Sequence, residues 1–383
     1  MTEHNLLMIP GPTNVDPIVL QSMARPTTSH VSAFFASIFK ETTTALGQVF
    51  KTNGLILPLA GSGTLGAEVG LANIIEPDDK VLAITNGYFG DRLAEVAATL
   101  GANVDRLEVP WGFAADPTDV ERKLSSTQYK ALLAVHVDTS TGAANPAQEL
   151  GAVAKARNVL YVLDTVCSLG GMDVQVDSWG IDVCFTGSQK ALAIPPGMLV
   201  VSFSSKALAA REQRRAPIGT YYGDVKRWMP VLEDPTKYFA TPAVNMFYAL
   251  HESCKMILSE GLDARFARHA RIASAFRAGL KSIGLRLLCE ENVSANTLTV
   301  AYYPENVDDA RFRKTMAEKY GIVIAGGLGP LRGKGFRVGH MGNVSGNDIF
   351  ATLAAIEGSL AEQDHQTPHG AGVAAANRAL AAS

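Results

Sequence analysis

The chain has 383 residues, of which 47% are hydrophobic and 19% are charged, and its formal net charge is −3 at pH 7. This length permits two domains with a large core, and the composition is ordinary for a soluble globular protein. Because the net charge is small and negative, neither nucleic acid nor an anionic membrane is expected as a partner.

The four cysteines, Cys167, Cys184, Cys254 and Cys289, lie far apart and form no CxxC pair. This spacing favours neither a zinc site nor a disulfide framework, so no bound metal is expected. The first residues lack a basic stretch followed by an apolar one, and no long uncharged apolar run comes later. A cytoplasmic location is therefore the expectation.

Between about residues 50 and 205, short apolar runs alternate with helical patterns. The runs are continuously apolar, which is typical of strands covered by helices on both faces. The predicted strands are residues 55–60, 80–85, 131–137, 159–164, 182–186 and 198–203, and the predicted helices between them include 64–75, 89–100 and 147–158. This alternation predicts an α/β fold with a mostly parallel central sheet that binds its ligand at the carboxyl ends of the strands.

After residue 203 the pattern changes. Residues 205–245 are predicted to be irregular, and they precede helices at 244–260 and 263–283. A small α+β domain is predicted next, with strands at 296–302, 322–325 and 335–340 and helices at 307–320 and 346–363. The predicted organisation is thus an N-terminal segment (1–20), a large domain (21–255), a small C-terminal domain (256–365) and a flexible, weakly held tail (366–383).

Lys190 and Asp164 each follow a predicted buried strand. An amine and a carboxylate at the ends of neighbouring strands suit pyridoxal phosphate. The amine forms a Schiff base with the cofactor, and the carboxylate keeps the pyridine nitrogen protonated so that the ring accepts electrons. The pair therefore predicts a pyridoxal-phosphate enzyme in which both residues are catalytic.

Residues 61–66 (GSGTLG) match the dinucleotide fingerprint G-x-G-x-x-G, between a predicted strand and a predicted helix. An NAD-dependent oxidoreductase should carry an acidic residue at the end of the next strand, but that strand leads into Thr85 and Asn86. The same turn suits a single phosphate, because Gly63 and Thr64 open a helix and Ser62 adds a hydroxyl. A cofactor phosphate is favoured over a dinucleotide, and a turn that only packs is the third possibility.

Three further residues suit such a site. Phe89 follows a strand and is expected to stack on the cofactor ring, unless it belongs to the core. Thr139 is placed to bond the ring's edge, although a helix cap is an alternative. Arg337 lies on an apolar strand, where a charge needs a partner, either an internal carboxylate or the carboxylate of an amino-acid substrate.

Together these residues resemble the class V (fold type I) aminotransferases, within them the serine–glyoxylate and alanine–glyoxylate group. The similarity runs from about residue 9 to residue 364. It is carried by residues 10–14 (PGPTN), 60–64 (AGSGT), 138–142 (DTSTG), 168–171 (SLGG), 187–190 (GSQK), 326–329 (GGLG) and 337–339 (RVG), together with Asp164.

The resemblance implies that Lys190 holds pyridoxal phosphate and that Asp164 pairs with the pyridine nitrogen. It implies cofactor contacts from Ser62, Gly63, Thr64, Phe89, Thr139, Val166 and Gln189. It also implies a substrate carboxylate clamp at Arg337, helped by Pro12 and Thr13 of the N-terminal segment.

In this family a Tyr-His-His-Thr stretch reaches the neighbouring subunit's phosphate. Here the stretch is residues 238–241, in which Tyr238 and Thr241 remain but Phe239 and Ala240 replace the histidines. The resemblance therefore implies a homodimer with active sites at its interface, with Tyr238 and Thr241 as cofactor-binding residues.

The implied activity is a ping-pong transfer of an amino group from a small L-amino acid, serine or alanine, to glyoxylate or a similar 2-oxo acid. Ureidoglycine–glyoxylate, aspartate–glyoxylate and pyridoxamine–pyruvate transamination remain as alternatives. A cysteine desulfurase is disfavoured, since residues 325–335 contain no cysteine.

Overall fold

The computed structural model describes residues 5–382. Residues 1–4 and 383, the outermost parts of the predicted N-terminal segment and tail, lie outside the described residues. The strands within residues 5–382 are β1 (Leu6–Leu7), β2 (Leu55–Gly61), β3 (Lys80–Thr85), β4 (Asn103–Glu108), β5 (Ala131–Val135), β6 (Leu160–Asp164), β7 (Val183–Gly187), β8 (Gly197–Phe203), β9 (Leu298–Tyr302), β10 (Ile322–Val323), β11 (Ala325–Gly326) and β12 (Gly335–Gly339).

The α-helices of the same described range are α1 (Pro17–Met23), α2 (Ala33–Phe50), α3 (Gly63–Ile74), α4 (Tyr88–Thr99), α5 (Pro117–Ser126), α6 (Ala147–Ala156), α7 (Ser205–Glu212), α8 (Val225–Glu233), α9 (Val244–Glu260), α10 (Leu262–Ser282), α11 (Asp309–Tyr320), α12 (Gly346–Ala361) and α13 (Ala371–Ala381). Over residues 5–382, no helix combines the length and apolarity that crossing a bilayer requires.

The central sheet has seven strands in the order β2-β8-β7-β6-β5-β3-β4. Its pairs are parallel except those of β8, which runs antiparallel to both β2 and β7. Helices α2, α5, α6 and α9 pack on one face, and α3, α4, α7 and α8 pack on the other. This arrangement confirms the predicted α/β fold with a mostly parallel sheet, and burial on both faces explains the continuously apolar strands.

Two parts of the large sheet region differ from the predictions. Strand β4 was not predicted, because it lies at the sheet edge, pairs only with β3 and has a polar sequence, NVDRLE. Residues 205–245 were predicted to be irregular, but they contain α7 and α8. Helix α8 is short and carries Pro230, yet it buries Trp228 and Val231 against the sheet's helical layer.

The smaller sheet, in the order β11-β12-β9, is antiparallel. The strand predicted at residues 322–325 is in fact two short strands that pair with different partners. Ile322 and Val323 of β10 pair with β1, whereas β11 pairs with β12. The N-terminal segment is therefore joined to the C-terminal part of the chain by backbone hydrogen bonds.

The prediction of a flexible, weakly held tail is wrong for residues 371–381, which form α13 and pack against α10 and α12. Gly279 of α10 lets the tail approach, since a Cβ there would lie 2.9 Å from the carbonyl oxygen of Gly372. The carboxylate of Glu357 accepts hydrogen bonds from the backbone of Gly370 and Gly372. The alanine-rich composition that indicated a loose tail therefore belongs to a closely packed helix.

Candidate active site

The loops that follow β2, β3, β5, β6 and β7 meet at one edge of the central sheet. Because these strands are parallel to one another, their carboxyl ends share that edge, where ligands of such sheets bind. A cavity of about 260 Å³ lies there. Its lining includes most of the predicted site residues: Pro12, Ser62, Gly63, Thr64, Phe89, Thr139, Asp164, Val166, Gln189 and Lys190.

Lys190 stands three residues beyond β7, and its side chain is buried in the cavity wall. Its Nζ donates a hydrogen bond to the carbonyl oxygen of Pro10. Burial lowers the pKa of Lys190. A buried amine with a lowered pKa is neutral more often than an exposed lysine, which is the state that attacks a carbonyl carbon.

The N-terminal segment shapes the surroundings of this lysine. Gly11 has a φ of +120°, and a Cβ there would lie 2.7 Å from Lys190 Cδ, so this position requires glycine. Thr13, predicted to bind substrate, does not line the cavity. Its hydroxyl donates to the carbonyl oxygen of Lys190 at 2.9 Å, and its amide donates to that of Gln189 at 3.1 Å. In this structure Thr13 holds the lysine loop, while Pro12 reaches the cavity.

Asp164 ends β6, the neighbour of β7 in the sheet. Its Oδ1 accepts a hydrogen bond of 2.8 Å from the amide of Val166. Burial raises the pKa of Asp164 to about 7, a rise opposed by that hydrogen bond and reinforced by the nearby Asp138. A carboxylate kept in such a place without a firm cationic partner is suited to receive a positively charged group from a ligand.

The glycine turn presents uncapped backbone donors to the cavity. Helix α3 begins at Gly63, and the Ser62 side chain makes no capping hydrogen bond to it. The first amides of a helix have no partner within the helix, and its N-terminus attracts anions. Gln189 also lines the cavity; its buried Oε1 has no hydrogen-bond partner within residues 5–382, and its Nε2 is a donor. The helix amides and the Gln189 Nε2 suit an anion such as a phosphate.

Phe89 lines the cavity, and its position depends on Asp138, a residue for which the sequence motifs predicted no separate role. Asp138 is fully buried, and its Oδ2 accepts hydrogen bonds from the amides of Phe89 (2.9 Å) and Gly90 (3.0 Å). Its Oδ1 accepts from the amide and the hydroxyl of Ser140. Asp138 therefore fixes the start of α4 and with it the Phe89 ring. The DxS spacing is a turn signal that points to such a role.

Arg337 comes from β12 and does not line the cavity, although it contacts a residue that does. Its Nη1 donates to the carbonyl oxygen of Thr139 at 3.2 Å, and its Nε donates to that of Gly326 at 2.9 Å. Arg337 forms no ion pair with any carboxylate of residues 5–382. The alternative of an internal salt bridge is therefore not found in the part of the chain described. Thr139 lies in a loop and caps no helix.

Tyr238 and Thr241 stand outside this cavity. Tyr238 is 45% exposed, and its ring packs edge-on against His30 at 4.1 Å between centroids. Thr241 is also exposed. Both side chains are exposed on this single chain, so their contact with a second subunit's cofactor stays a prediction.

Among the charged residues that line the cavity, Arg92 was not predicted. Arg92, in the second turn of α4, lines the cavity beside Phe89. The sequence signal is present, because Arg92 follows Phe89 by three residues and so shares its helix face.

The family model of the class V aminotransferases matches residues 19–330. The chain belongs to this family. An uncharacterized aminotransferase of Methanocaldococcus jannaschii is 42% identical over 358 residues, which cover 93% of this chain and 93% of that protein. The serine–glyoxylate aminotransferase of Methylorubrum extorquens is 33% identical over 394 residues, covering 98% of this chain and 96% of that one.

The crystal structure of the ureidoglycine–glyoxylate aminotransferase of Bacillus subtilis superposes on this class V chain with a TM-score of 0.96. The two are 34% identical in sequence, and the alignment covers 99% of this chain and 98% of the other. The family and this likeness confirm the resemblance drawn from the sequence motifs. The chain is therefore a pyridoxal-phosphate-dependent transaminase.

The residues at the cavity fit this cofactor. Lys190 offers a buried amine to an aldehyde, and Asp164 offers a carboxyl group to a pyridine nitrogen. The start of α3 has no side-chain cap, and the Gln189 Oε1 has no hydrogen-bond partner within residues 5–382, so polar groups at the cavity are left for a ligand to bond. An aromatic ring, Phe89, is available to cover one face of the cofactor.

The raised pKa of Asp164 predicts an unusual pH dependence of folding in the cofactor-free transaminase. Between pH 3.8 and about 7 the native state binds a proton at Asp164 that the unfolded state has lost. The free energy of unfolding therefore falls as the pH rises through this window, by a term of the order of 4 kcal/mol. Asp164→Asn removes this term.

The measurement is urea unfolding of the cofactor-free wild type and of Asp164→Asn at pH 5 and at pH 8. The variant should gain stability relative to the wild type between the two values. Parallel pH dependences would show that Asp164 titrates normally.

Proposed function

We propose that this transaminase transfers an amino group from a small L-amino acid, serine or alanine, to glyoxylate or a similar 2-oxo acid by a ping-pong mechanism. The observation that carries the proposal is the placing of Lys190 and Asp164 in one small cavity with an anion-binding turn. The relatives named for glyoxylate support the acceptor.

In the proposed mechanism, the cofactor when bound supplies a ring that stabilises negative charge at the substrate's Cα. Lys190 would hold the cofactor through its Nζ. When its Nζ is free, Lys190 would act as the general base that takes the proton from the substrate's Cα. Asp164 maintains the positive charge at the pyridine nitrogen, and Phe89 keeps water from one ring face.

Arg337 is proposed to orient the substrate by its carboxylate. The support is a half-buried guanidinium that forms no ion pair with the carboxylates of residues 5–382 and contacts the cavity through Thr139. A two-pronged arginine–carboxylate contact fixes the direction of the Cα–H bond as well as adding affinity.

Replacing Arg337 with glutamine is expected to raise KM for serine and for glyoxylate by about 10- to 100-fold, the usual worth of a charge-assisted hydrogen bond. The visible spectrum of the bound cofactor should not change. Arg332→Gln, at an exposed position nearby, is the matched control and should leave KM unchanged. An equal loss with an amine that lacks a carboxylate would show instead that Arg337 is structural.

The test of the whole proposal is the visible spectrum of the purified protein. It should be yellow, and the band should bleach when the true amino donor is added and return when glyoxylate is added. L-serine, L-alanine, L-aspartate and ureidoglycine are compared in this way. If ureidoglycine alone bleaches the band, the donor of the Bacillus subtilis neighbour is the correct one. A colourless protein that binds NAD would reject the proposal.

We further infer that the active unit is a homodimer in which Tyr238 and Thr241 reach the partner's cofactor phosphate. The support is that both side chains are exposed and absent from the cavity of their own chain. Co-expression of Lys190→Ala with the double variant Tyr238→Phe/Thr241→Val is the test, at limiting pyridoxal phosphate. Mixed dimers should recover activity that neither parent has, because one site per dimer is intact. No recovery would mean that these residues act within their own subunit or not at all.

A further inference from the structure

Arg92 brings to the cavity a positive charge that is not in an ion pair with any carboxylate of residues 5–382. Its side chain lines the cavity, and no ion pair involves it in this part of the chain. Its guanidinium carbon lies 4.8 Å from the centre of the Phe89 ring and 5.1 Å from that of Tyr88. Its Nη1 is 3.4 Å from the hydroxyl oxygen of Thr64. The guanidinium thus lies between the aromatic wall and the glycine turn.

Three acidic residues lie near Arg92, and none of them forms an ion pair with it. The charge of Arg92 acts on Asp164, which lines the same cavity, without an ion pair between the two. Asp91, next to Arg92 in sequence, pairs with Arg106 at 2.5 Å. Asp138 gives its two oxygens to backbone amides and to Ser140. The two aromatic rings hold the guanidinium in place by cation–π contacts but supply no formal negative charge. The structure therefore calls for an anionic group near Thr64.

The donors already described at the turn are neutral. They are the first amides of α3 and the side chains of Ser62, Thr64 and Gln189. A phosphate group bound in a cavity gives up part of its hydration shell but remains negatively charged. Hydrogen bonds from neutral donors offset that charge less than a positively charged side chain does. Arginine is suited to complete the set, since its planar fork binds phosphate with two parallel hydrogen bonds.

We propose that Arg92 binds the phosphate group of pyridoxal phosphate, together with the Thr64 hydroxyl and the start of α3. The proposal rests on the proposed placement of the cofactor, with its phosphate at the glycine turn and its ring against Phe89. The contact with Thr64 favours the phosphate over a substrate carboxylate as the anion. The carboxylate has a separate proposed clamp in Arg337, which extends from the other sheet.

The test measures cofactor affinity rather than turnover. Protein freed of cofactor is titrated with pyridoxal phosphate, with pyridoxal, which lacks the phosphate, and with inorganic phosphate, and binding is followed by visible absorbance or by calorimetry. Arg92→Gln removes the charge, and Arg92→Lys retains it without the fork. Arg271→Gln, an exposed arginine on α10, is the matched control. The phosphorus-31 NMR shift of the bound cofactor reports on the phosphate directly.

Arg92→Gln should raise the Kd for pyridoxal phosphate by about 10- to 100-fold and leave the Kd for pyridoxal within about twofold. Arg92→Lys should lie between Arg92→Gln and the wild type, and in both variants the phosphorus resonance should move. Arg271→Gln should match the wild type. Melting curves of both Arg92 variants establish that they are folded, and the lysine variant keeps the test decisive if the glutamine variant is not.

Two results would overturn the proposal. If pyridoxal phosphate and pyridoxal weaken equally, Arg92 supports Phe89 and not the phosphate. If affinity and the phosphorus shift are unchanged, Arg92 does not bind the phosphate, and a rise in KM for the amino donor, serine or alanine, would show that it binds substrate instead. Failure of the wild type itself to bind pyridoxal phosphate through Lys190 would reject the proposed function first, so the two failures are distinct.

Discussion

Lys190→Ala should abolish transamination, with a fall in turnover of roughly 10⁴-fold or more, because the proposed function makes this one side chain both the covalent anchor and the general base. The yellow colour that depends on the Lys190 amine should disappear as well. The protein should nevertheless fold, since the neighbours of Lys190 in the wall are held by backbone contacts such as that between Thr13 and the Lys190 carbonyl oxygen. Single-turnover rates and visible spectra of the purified variant are the measurements.

Lys155→Ala provides the control, because Lys155 is an exposed lysine of α6 outside the cavity. Its activity and colour should equal those of the wild type. Small primary amines added to Lys190→Ala should restore part of the proton transfer, which a purely structural lysine would not allow. A normal yellow band in Lys190→Ala would show that another amine holds the cofactor.

Asp164→Asn should lower kcat by about 10³-fold while leaving the fold intact, since an electrostatic contact that develops with the reaction is usually worth 10²- to 10³-fold or more. Asparagine keeps the oxygen that accepts the Val166 amide, so the local backbone has no reason to move. It lacks the negative charge that holds a proton on the pyridine nitrogen. The loss should therefore appear in the proton-transfer step and not in KM.

Asp182→Asn is the matched control for this experiment. Asp182 is also buried and lies just before the next strand, where its carboxylate accepts from the amide of Tyr161 and the hydroxyl of Ser204. That change should lower the free energy of unfolding without a selective effect on kcat. A full rate in Asp164→Asn, measured at saturating substrate, would remove Asp164 from the mechanism.

The sequence was sufficient for the parts of the fold in which one physical signal dominates. Helix α9 was predicted at its observed bounds, and β3 likewise, because buried apolar periodicity and flanking polar residues agree there. The cavity residues were predictable for the same reason: polar side chains that follow buried strands gather at one sheet edge. Lys190 and Asp164 lie at neighbouring strand ends as expected.

Other features depend on contacts that no local pattern encodes. The polar strand β4 forms because it pairs with the edge of β3. Helix α13 is held by contacts with Gly279 and Glu357, two residues that lie earlier in the sequence. In the sequence, Asp138 is one of several polar residues that follow a strand. Its hydrogen bond with the Phe89 amide depends on the tertiary fold. The substrate contact of Thr13 stays a prediction; its hydroxyl bonds the Lys190 carbonyl oxygen, and its neighbour Pro12 lines the cavity.

The N-terminal segment connects the strand that carries Arg337 with the loop that carries Lys190. At Met8 its backbone bonds both to Val323 and to Gly339, the last residue of the strand that carries Arg337. A few residues later, the carbonyl oxygen of Pro10 accepts a hydrogen bond from the Lys190 Nζ, and the Thr13 hydroxyl donates one to the carbonyl oxygen of Lys190. If Arg337 binds the substrate carboxylate as proposed, a shift of β12 on binding would act through this segment on the Lys190 amine.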